Sequence, residues 1–226
     1  YLKPFQPTFL VRHESYNVPL LQYQMTSGSI EHLKTVLTSL KASGRKLVPL
    51  GTIYTAVLSQ ETRDVRIAPD STVLTIVGVT AKNIQQLTDL LQKEGVAATF
   101  FVETEEIGMS GITERVILNV LANGNEVQSA GHTGDDLRSL TDTQVLLELG
   151  QSKKVIEALT KREVYAVAYP LGGVNDRVMT RAEEIGYLFG LTQVPDRVFS
   201  RAQFLRLPTM YVTGSANPAD ISQSVK

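Results

Sequence analysis

Short apolar runs alternate with amphipathic stretches along most of this chain. The clearest example covers residues 73–102, where an apolar run at 73–79 precedes Ile84, Leu87 and Leu91 and a second apolar run occupies 97–102. Uninterrupted apolar runs are typical of buried strands, and apolar residues three or four apart are typical of helices. The segment is therefore predicted to form a β-α-β unit.

The same alternation continues on both sides of this unit. Residues 15–24 are expected to form a loop, and Thr26 or Ser27 is expected to cap a helix whose apolar face is Ile30, Leu33, Leu37 and Leu40. The other predicted strands are 8–11, 46–49, 126–129, 164–169, 187–192 and 204–212. The other predicted helices are 50–58, 112–122, a long helix capped by Thr141, and 176–185.

Strands that alternate with helices indicate parallel β-α-β units in one α/β domain. We therefore predict an α/β fold, a single-domain deformed (β/α) barrel of about seven strands. Residues 1–7 are predicted to be an N-terminal lead-in, 8–212 the barrel domain, and 213–226 a polar C-terminal tail. In such a barrel the functional residues follow the carboxyl ends of the strands.

The composition excludes several classes of function. The chain of 226 residues has a net charge of −1, so its charge indicates neither a nucleic-acid partner nor binding to an acidic membrane surface. No apolar run approaches the ~20 residues of a membrane span. The chain has no cysteine, which excludes disulfides, thiolate metal ligands and thiol nucleophiles. It begins at Tyr1 without a signal-peptide pattern, so we expect a mature or trimmed chain.

Three groups of motifs carry a resemblance to a known family. They are Leu74-Thr75 with GVAATFFV at 95–102, GNEVQS at 124–129, and AYPLG at 168–172 with Asn175 and EIGY at 184–187; Arg12-His13 also follows the first predicted strand. These motifs resemble the polysaccharide deacetylases of the NodB-homology type, carbohydrate esterase family four. The resemblance covers roughly residues 8–212, and it implies a NodB-type barrel.

The resemblance implies metal-assisted removal of an N-acetyl group from a sugar polymer. In that chemistry an Asp and two His hold the metal, a neighbouring Asp is the base and a distant His is the acid. Where the family has T-F-D-D-G, this chain has Val77 at the base position and Gly78 at the metal-ligand position. The two metal histidines align with Ala130 and Gly134, and the final L-x-H motif has no counterpart because no His follows His132.

Valine, glycine and alanine cannot bind a divalent cation or transfer a proton. We therefore expect a catalytically inactive deacetylase-like domain without a cofactor. It is expected to bind a polysaccharide or an envelope protein partner outside the cytoplasm, in cell-envelope or exopolysaccharide processes.

Two alternatives remain open. His132, Asp135 and Asp136 lie in the loop that carries the metal histidines in the family, and with His13 they could form a relocated zinc site of an active deacetylase. Alternatively, Asp135 or Asp136 caps the turn before Leu137. The other functional alternative is a purely structural scaffold domain.

The remaining candidates are cleft residues. Tyr169 and Gly172 match the family's substrate-groove motif, although Tyr-Pro-x-Gly also forms a tight strand-to-helix turn. With His13, His132 and Asp135 they form the predicted remnant cleft. Glu103, together with Glu105 and Glu106, could form an acidic rim or a solvated loop.

Overall fold

The fold is described from a computed structural model, which describes residues 15–59, 66–108 and 111–225. The predicted strand at 8–11 and the candidate residue His13 lie outside these ranges.

Ten strands and seven helices occupy the described ranges. The strands are β1 Ser15–Asn17, β2 Leu20–Gln24, β3 Lys46–Val48, β4 Ser71–Val77, β5 Thr99–Val102, β6 Glu126–Ser129, β7 Ala166–Ala168, β8 Phe189–Leu191, β9 Val198–Ser200 and β10 Met210–Val212. The helices are α1 Ile30–Ala42, α2 Gly51–Ser59, α3 Ile84–Glu94, α4 Glu114–Ala122, α5 Asp142–Thr160, α6 Asp176–Ile185 and α7 Pro218–Ser224.

The main sheet is parallel and follows the order β10-β2-β4-β5-β6-β7-β8, with β3 paired to the start of β4. The chain just before β10 returns to the end of β8 through a bridge between Leu191 and Leu207. The sheet is therefore a curled, incompletely closed barrel with seven strands in its continuous path. This confirms the predicted α/β deformed barrel and brings the carboxyl ends of its strands to one mouth. β1 and β9 form a separate antiparallel pair.

Both faces of β4 are buried, and this explains why the strand has no ionisable residue. Val73 and Val77 belong to the apolar cluster inside the barrel, whereas Leu74 and Ile76 belong to the cluster between the sheet and the helices. Alternate side chains of a strand point to opposite faces, so a strand covered on both sides reads as a continuous apolar run. The β-α-β prediction for 73–102 is confirmed.

The prediction of a loop at 15–24 was wrong, because this segment contains β1 and the central strand β2. Two glutamines interrupt its apolar pattern, but both have hydrogen-bond partners in β10 or just before it. The hydroxyl of Thr209 donates to Gln22 Oε1 at 2.9 Å, and Gln24 Nε2 donates to the hydroxyl of Tyr211 at 2.7 Å. Polar side chains with such partners can be buried in a barrel.

The segment expected to be a polar tail also contains regular structure. Asn217 caps α7, Pro218 begins it, and Ile221 and Val225 are buried in the core. The hydroxyls of Ser39 and Ser222 lie 2.5 Å apart and join α7 to α1. Two apolar side chains and these contacts are enough to dock a short helix that is otherwise polar.

Several local predictions differ in detail. Ser29 caps α1 instead of Thr26 or Ser27, and the predicted strand at 204–212 is shortened to β10 because a 3-10 turn occupies Arg201–Arg206. Thr141 caps α5 as predicted, in a capping box with Gln144. None of the helices in the described ranges combines the length and apolarity that a membrane crossing requires.

A carboxylate at the start of β6 joins three segments of the chain at the end of the barrel opposite the mouth. Glu126 Oε2 accepts hydrogen bonds from the backbone N–H of Gly51 at 3.0 Å, the hydroxyl of Thr99 at 2.7 Å and the hydroxyl of Tyr165 at 3.0 Å. We expect Glu126→Ala to lower the free energy of unfolding by roughly 2–4 kcal/mol, because it leaves three donors without their acceptor. Urea denaturation measures this change.

The matched control is Glu183→Ala, which removes an exposed carboxylate from α6. A surface change of this kind should alter the free energy of unfolding by less than about 0.5 kcal/mol. Equal effects of the two substitutions would contradict the role given to Glu126.

Candidate functional site

A cavity of about 160 Å³ lies at the mouth of the barrel, where the carboxyl ends of the parallel strands converge. Residues at or just after the ends of β2, β4, β5, β6, β7 and β8 line it. Its lining comprises Gln22, Gln24, Thr26, Val77, Gly78, Glu103, Ala130, Gly134, Ala168, Tyr169, Pro170, Leu171, Gln193 and Tyr211.

All four positions that the sequence identified as lost catalytic or metal-ligating sites line this cavity. They are Val77, Gly78, Ala130 and Gly134. The loops after β4 and β6 therefore meet, although Ala130 follows Gly78 by 52 positions in the sequence. None of the four side chains carries an oxygen or nitrogen atom, so the polar chemistry of the cavity comes from other residues.

Gln24 occupies the space beside Gly78. A Cβ atom on Gly78 would lie 2.5 Å from Gln24 Oε1, and the φ of +71° at Gly78 favours glycine. The amide is held at both ends, because Oε1 accepts from the backbone N–H of Thr26 at 3.2 Å and Nε2 donates to the hydroxyl of Tyr211 at 2.7 Å. A fixed, neutral amide thus lies beside the position of the family's metal-binding Asp.

Glu103 occupies the corresponding space beside Gly134. A Cβ atom on Gly134 would lie 2.7 Å from the carboxyl carbon of Glu103, and Gly134 has a φ of +81°. Glu103 is half-buried, and burial, followed by the neighbouring carboxylates of Glu106, Glu105 and Glu148, raises the pKa of its carboxyl group. Glu103 therefore lines the cavity. The sequence had also allowed it to lie in a solvated loop.

The Tyr-Pro-Leu-Gly turn closes one side of the cavity. The buried Tyr169 donates its hydroxyl to the carbonyl of Leu205 at 2.8 Å, and burial raises the pKa of this phenol. Gly172 packs near the side chain of Gln193, which a Cβ on Gly172 would approach to 3.2 Å. Leu171 is 73% exposed at the rim, with a left-handed φ of +54°. The motif is thus both a tight turn and part of the cavity wall.

The loop that contains His132 has mainly structural contacts. His132 Nδ1 lies 2.8 Å from the Thr104 hydroxyl, and the backbone N–H groups of His132 and Thr133 each donate to Glu148 Oε2 at 2.9 Å. Asp136 accepts from the backbone N–H of Arg138 at 3.0 Å and caps the following 3-10 turn. This is the capping role that the sequence offered as one interpretation.

The side chains proposed for a relocated metal site do not converge in the described ranges. Asp135 is exposed, and neither His132 nor Asp135 lines the cavity. Among residues 15–59, 66–108 and 111–225, no group of three His, Cys, Asp or Glu side chains is placed to hold a metal ion. The fourth member of that proposal, His13, lies outside these ranges.

Several residues that make the cavity polar belong to none of the sequence motifs. Gln24 was assigned to a loop, and Gln193 and Tyr211 belong to no recognised motif. A positional signal was nevertheless present for Gln193, which lies just beyond β8, as it was for Glu103, which directly follows β5 and was a candidate from the sequence. Residues in such positions lie at the functional end of a parallel barrel, whatever motif they belong to.

Comparisons with known proteins agree with this architecture. The sequence profile named "Polysaccharide deacetylase" matches residues 68–190. A relative from Bacillus subtilis, YxkH, which carries the name of a polysaccharide deacetylase, is 31% identical over 116 residues, or 50% of this chain. The match spans only 41% of the length of that relative.

Solved structures show the same fold. The deacetylase PplD of Streptococcus pyogenes superposes with a TM-score of 0.79 and 19% identity, covering 92% of this chain and 98% of that protein. A polysaccharide deacetylase from Bacillus cereus superposes with a TM-score of 0.78 and 21% identity, covering 94% of this chain and 70% of that protein.

The raised pKa of Glu103 predicts a pH-dependent cost to folding. When the pKa of an acid is higher in the folded than in the unfolded state, stability falls as the pH rises from the unfolded-state value, about 4.3, through the folded-state value. We expect Glu103→Gln to raise the melting temperature at pH 7, and we expect this gain to shrink at pH 4. Thermal unfolding at both pH values measures it.

Glu183→Gln is the control, because Glu183 is exposed on α6 and does not line the cavity. It should give the same small change at both pH values. A gain from Glu103→Gln that is equal at pH 4 and pH 7 would show that the carboxylate charge is not the cause.

Proposed function

The chain belongs to the polysaccharide deacetylase family, and we propose that it acts as a non-catalytic deacetylase-like domain that binds an acetylated polysaccharide at the barrel mouth. One observation carries the proposal. The four family positions at Val77, Gly78, Ala130 and Gly134 line one cavity, and none of them carries a group that can bind a metal or transfer a proton.

The described residues that line the cavity do not fit the divalent metal that the family chemistry requires. Such ions are held by several carboxylate, imidazole or thiolate ligands. Among the described residues, the lining of the cavity offers one carboxyl group, that of Glu103, and neutral amides such as that of Gln24, whose oxygen already accepts a hydrogen bond. The position of the base is the hydrocarbon side chain of Val77, and no His follows His132 to act as a late acid.

The same cavity has the chemistry to hold an acetamido group. Val77, Ala130 and Ala168 provide apolar surface for a methyl group. The carboxylate of Glu103 can accept the amide N–H, and Gln193 offers both a donor and an acceptor. At about 160 Å³ the cavity is smaller than the ~300–1,000 Å³ of a typical ligand site, so it suits one projecting group of a polymer.

We place this binding in cell-envelope or exopolysaccharide processes, and hence outside the cytoplasm. The family assignment supports the class of polymer, and the net charge of −1 supports a ligand that is not a nucleic acid. An active enzyme with a relocated site and a purely structural scaffold are the competing outcomes of the experiments below.

The binding prediction concerns oligomers of N-acetylglucosamine. Titration calorimetry should detect binding of the acetylated oligomer and much weaker binding of its fully deacetylated form, which lacks the acetyl group. One N–H of Gln24 Nε2 is donated to Tyr211, and the second can donate to the acetyl carbonyl. Gln24→Ala should therefore weaken binding by roughly tenfold, since a tenfold change equals ~1.4 kcal/mol, about the value of one good hydrogen bond. An amine-release assay on the same oligomers should detect no product.

Gln86→Ala is the matched control, because Gln86 is exposed on α3 and does not line the cavity. It should bind like the unaltered protein. Failure of every acetylated oligomer to bind would favour the scaffold, and amine release that disappears in His132→Ala would favour the relocated enzyme.

The metal prediction is tested with Zn²⁺ and Co²⁺. Because the part of the cavity lining that the structure describes lacks a ligand set, titration should show no stoichiometric tight binding, and Co²⁺ should not develop the visible absorption of a protein-bound ion. Tight binding of one ion per chain that is lost in His132→Ala would overturn the proposed inactivity.

A further inference from the structure

Two glycines at the barrel mouth are closely approached by side chains from other strand ends. A Cβ atom on Gly78 would lie 2.5 Å from Gln24 Oε1 and 3.0 Å from the backbone nitrogen of Thr26. A Cβ atom on Gly134 would lie 2.8 Å from each carboxyl oxygen of Glu103. These distances are shorter than the ~3.5 Å of an ordinary van der Waals contact, so a side chain at either glycine requires a neighbouring group to move.

Both glycines stand where the family has a metal ligand. Gly78 aligns with the metal-binding Asp, and Gly134 aligns with the second metal-binding His. A ligand side chain restored at either position would have to pass through space that Gln24 or Glu103 now occupies. The site therefore differs from a metal centre in two ways, since the ligands are missing and other side chains occupy their space.

The amide of Gln24 is fixed in this position. Its Oε1 accepts from the backbone N–H of Thr26 at 3.2 Å, and its Nε2 donates to the hydroxyl of Tyr211 at 2.7 Å. Turning the amide away from Gly78 would break both hydrogen bonds. It would also leave the backbone nitrogen of Thr26 at 3.0 Å from the new Cβ atom.

The position of Glu103 is set by its backbone. The backbone N–H of the next residue, Thr104, donates to the carbonyl of Gly131 at 3.1 Å and ties the end of β5 to the loop that contains Gly134. The side chain of Glu103 is half-buried in the cavity lining. Its carboxyl group therefore stays beside Gly134 unless the side chain changes rotamer.

We infer that Gln24 and Glu103 exclude a metal ion from the barrel mouth, so that restoring the family's ligands at the four changed positions would not by itself rebuild a metal centre. This rests on the inactivity in the proposed function and is independent of sugar binding. It goes beyond the missing ligands, because it requires two further substitutions before a metal can bind.

The first test measures the steric part by thermal unfolding. Gly134→Ala is compared with Gly124→Ala, because the two glycines have nearly the same left-handed φ, +81° and +80°, but in the described part of the chain a Cβ atom on Gly124 would meet open space. We expect Gly124→Ala to lower the melting temperature by roughly 2–4 °C through its backbone alone, and Gly134→Ala to lower it by about twice as much or more.

Glu103 is then varied in the Gly134→Ala background. Glu103→Ala should remove the extra loss of melting temperature, whereas Glu103→Gln, which keeps the size and removes the charge, should retain it. Equal losses from the two glycine substitutions, or an extra loss that survives Glu103→Ala, would overturn the inference.

The second test follows Co²⁺ by visible absorption and calorimetry. A restored variant carries V77D, G78D, A130H and G134H, and a cleared variant carries Q24A and E103A as well. We expect the restored variant to bind no Co²⁺ tightly, and the cleared variant to bind one ion per chain with the absorption of a protein-bound ion.

Tight Co²⁺ binding by the restored variant would overturn the inference and leave the proposed function standing. A cleared variant that is folded by circular dichroism but binds no Co²⁺ would overturn it as well. Tight binding by the unaltered protein would contradict both the inference and the proposed inactivity.

Discussion

The parallel pairing of the barrel strands is the constraint on which the rest of the structure depends. Because β2, β4, β5, β6, β7 and β8 all run in one direction, the residues that follow them meet at one mouth. Residues as distant in sequence as Gln24, Gly134 and Tyr211 therefore share one cavity. The chemistry of that mouth is decided by the residues at each strand end, and those that line the described cavity carry amides, phenols, one carboxyl group and several small side chains.

Much of the barrel could be predicted because its strands bury both faces. The apolar run of β4 and the helical spacing of α3 identified their unit correctly, and the bounds of β6 and α6 matched. The failures were at segments where polar residues obtain partners only from distant parts of the chain. β2 was missed because Gln22 and Gln24 pair with residues near β10, and α7 was missed because its docking depends on α1.

The position of the site could be predicted from the sequence, but its chemistry could be predicted only in part. The aligned motifs assigned Val77, Gly78, Ala130 and Gly134 to one site, and in the structure these residues line one cavity. Alignment identifies which groups have been replaced, but it does not show what fills the space they leave. Gln24 and Glu103 fill it from neighbouring strand ends, a packing outcome that depends on three-dimensional proximity and leaves no motif in the sequence.

The proposed function requires the barrel mouth to hold an acetylated sugar without cleaving it. The most direct measurement is a two-dimensional NMR titration with the N-acetylglucosamine tetramer that follows the side-chain amide signals of Gln24 and Gln193, with the ligand recovered afterwards. We expect both signals to shift with the same affinity and the recovered tetramer to be fully acetylated. Unshifted signals at saturating ligand, or a tetramer recovered with free amino groups, would contradict it.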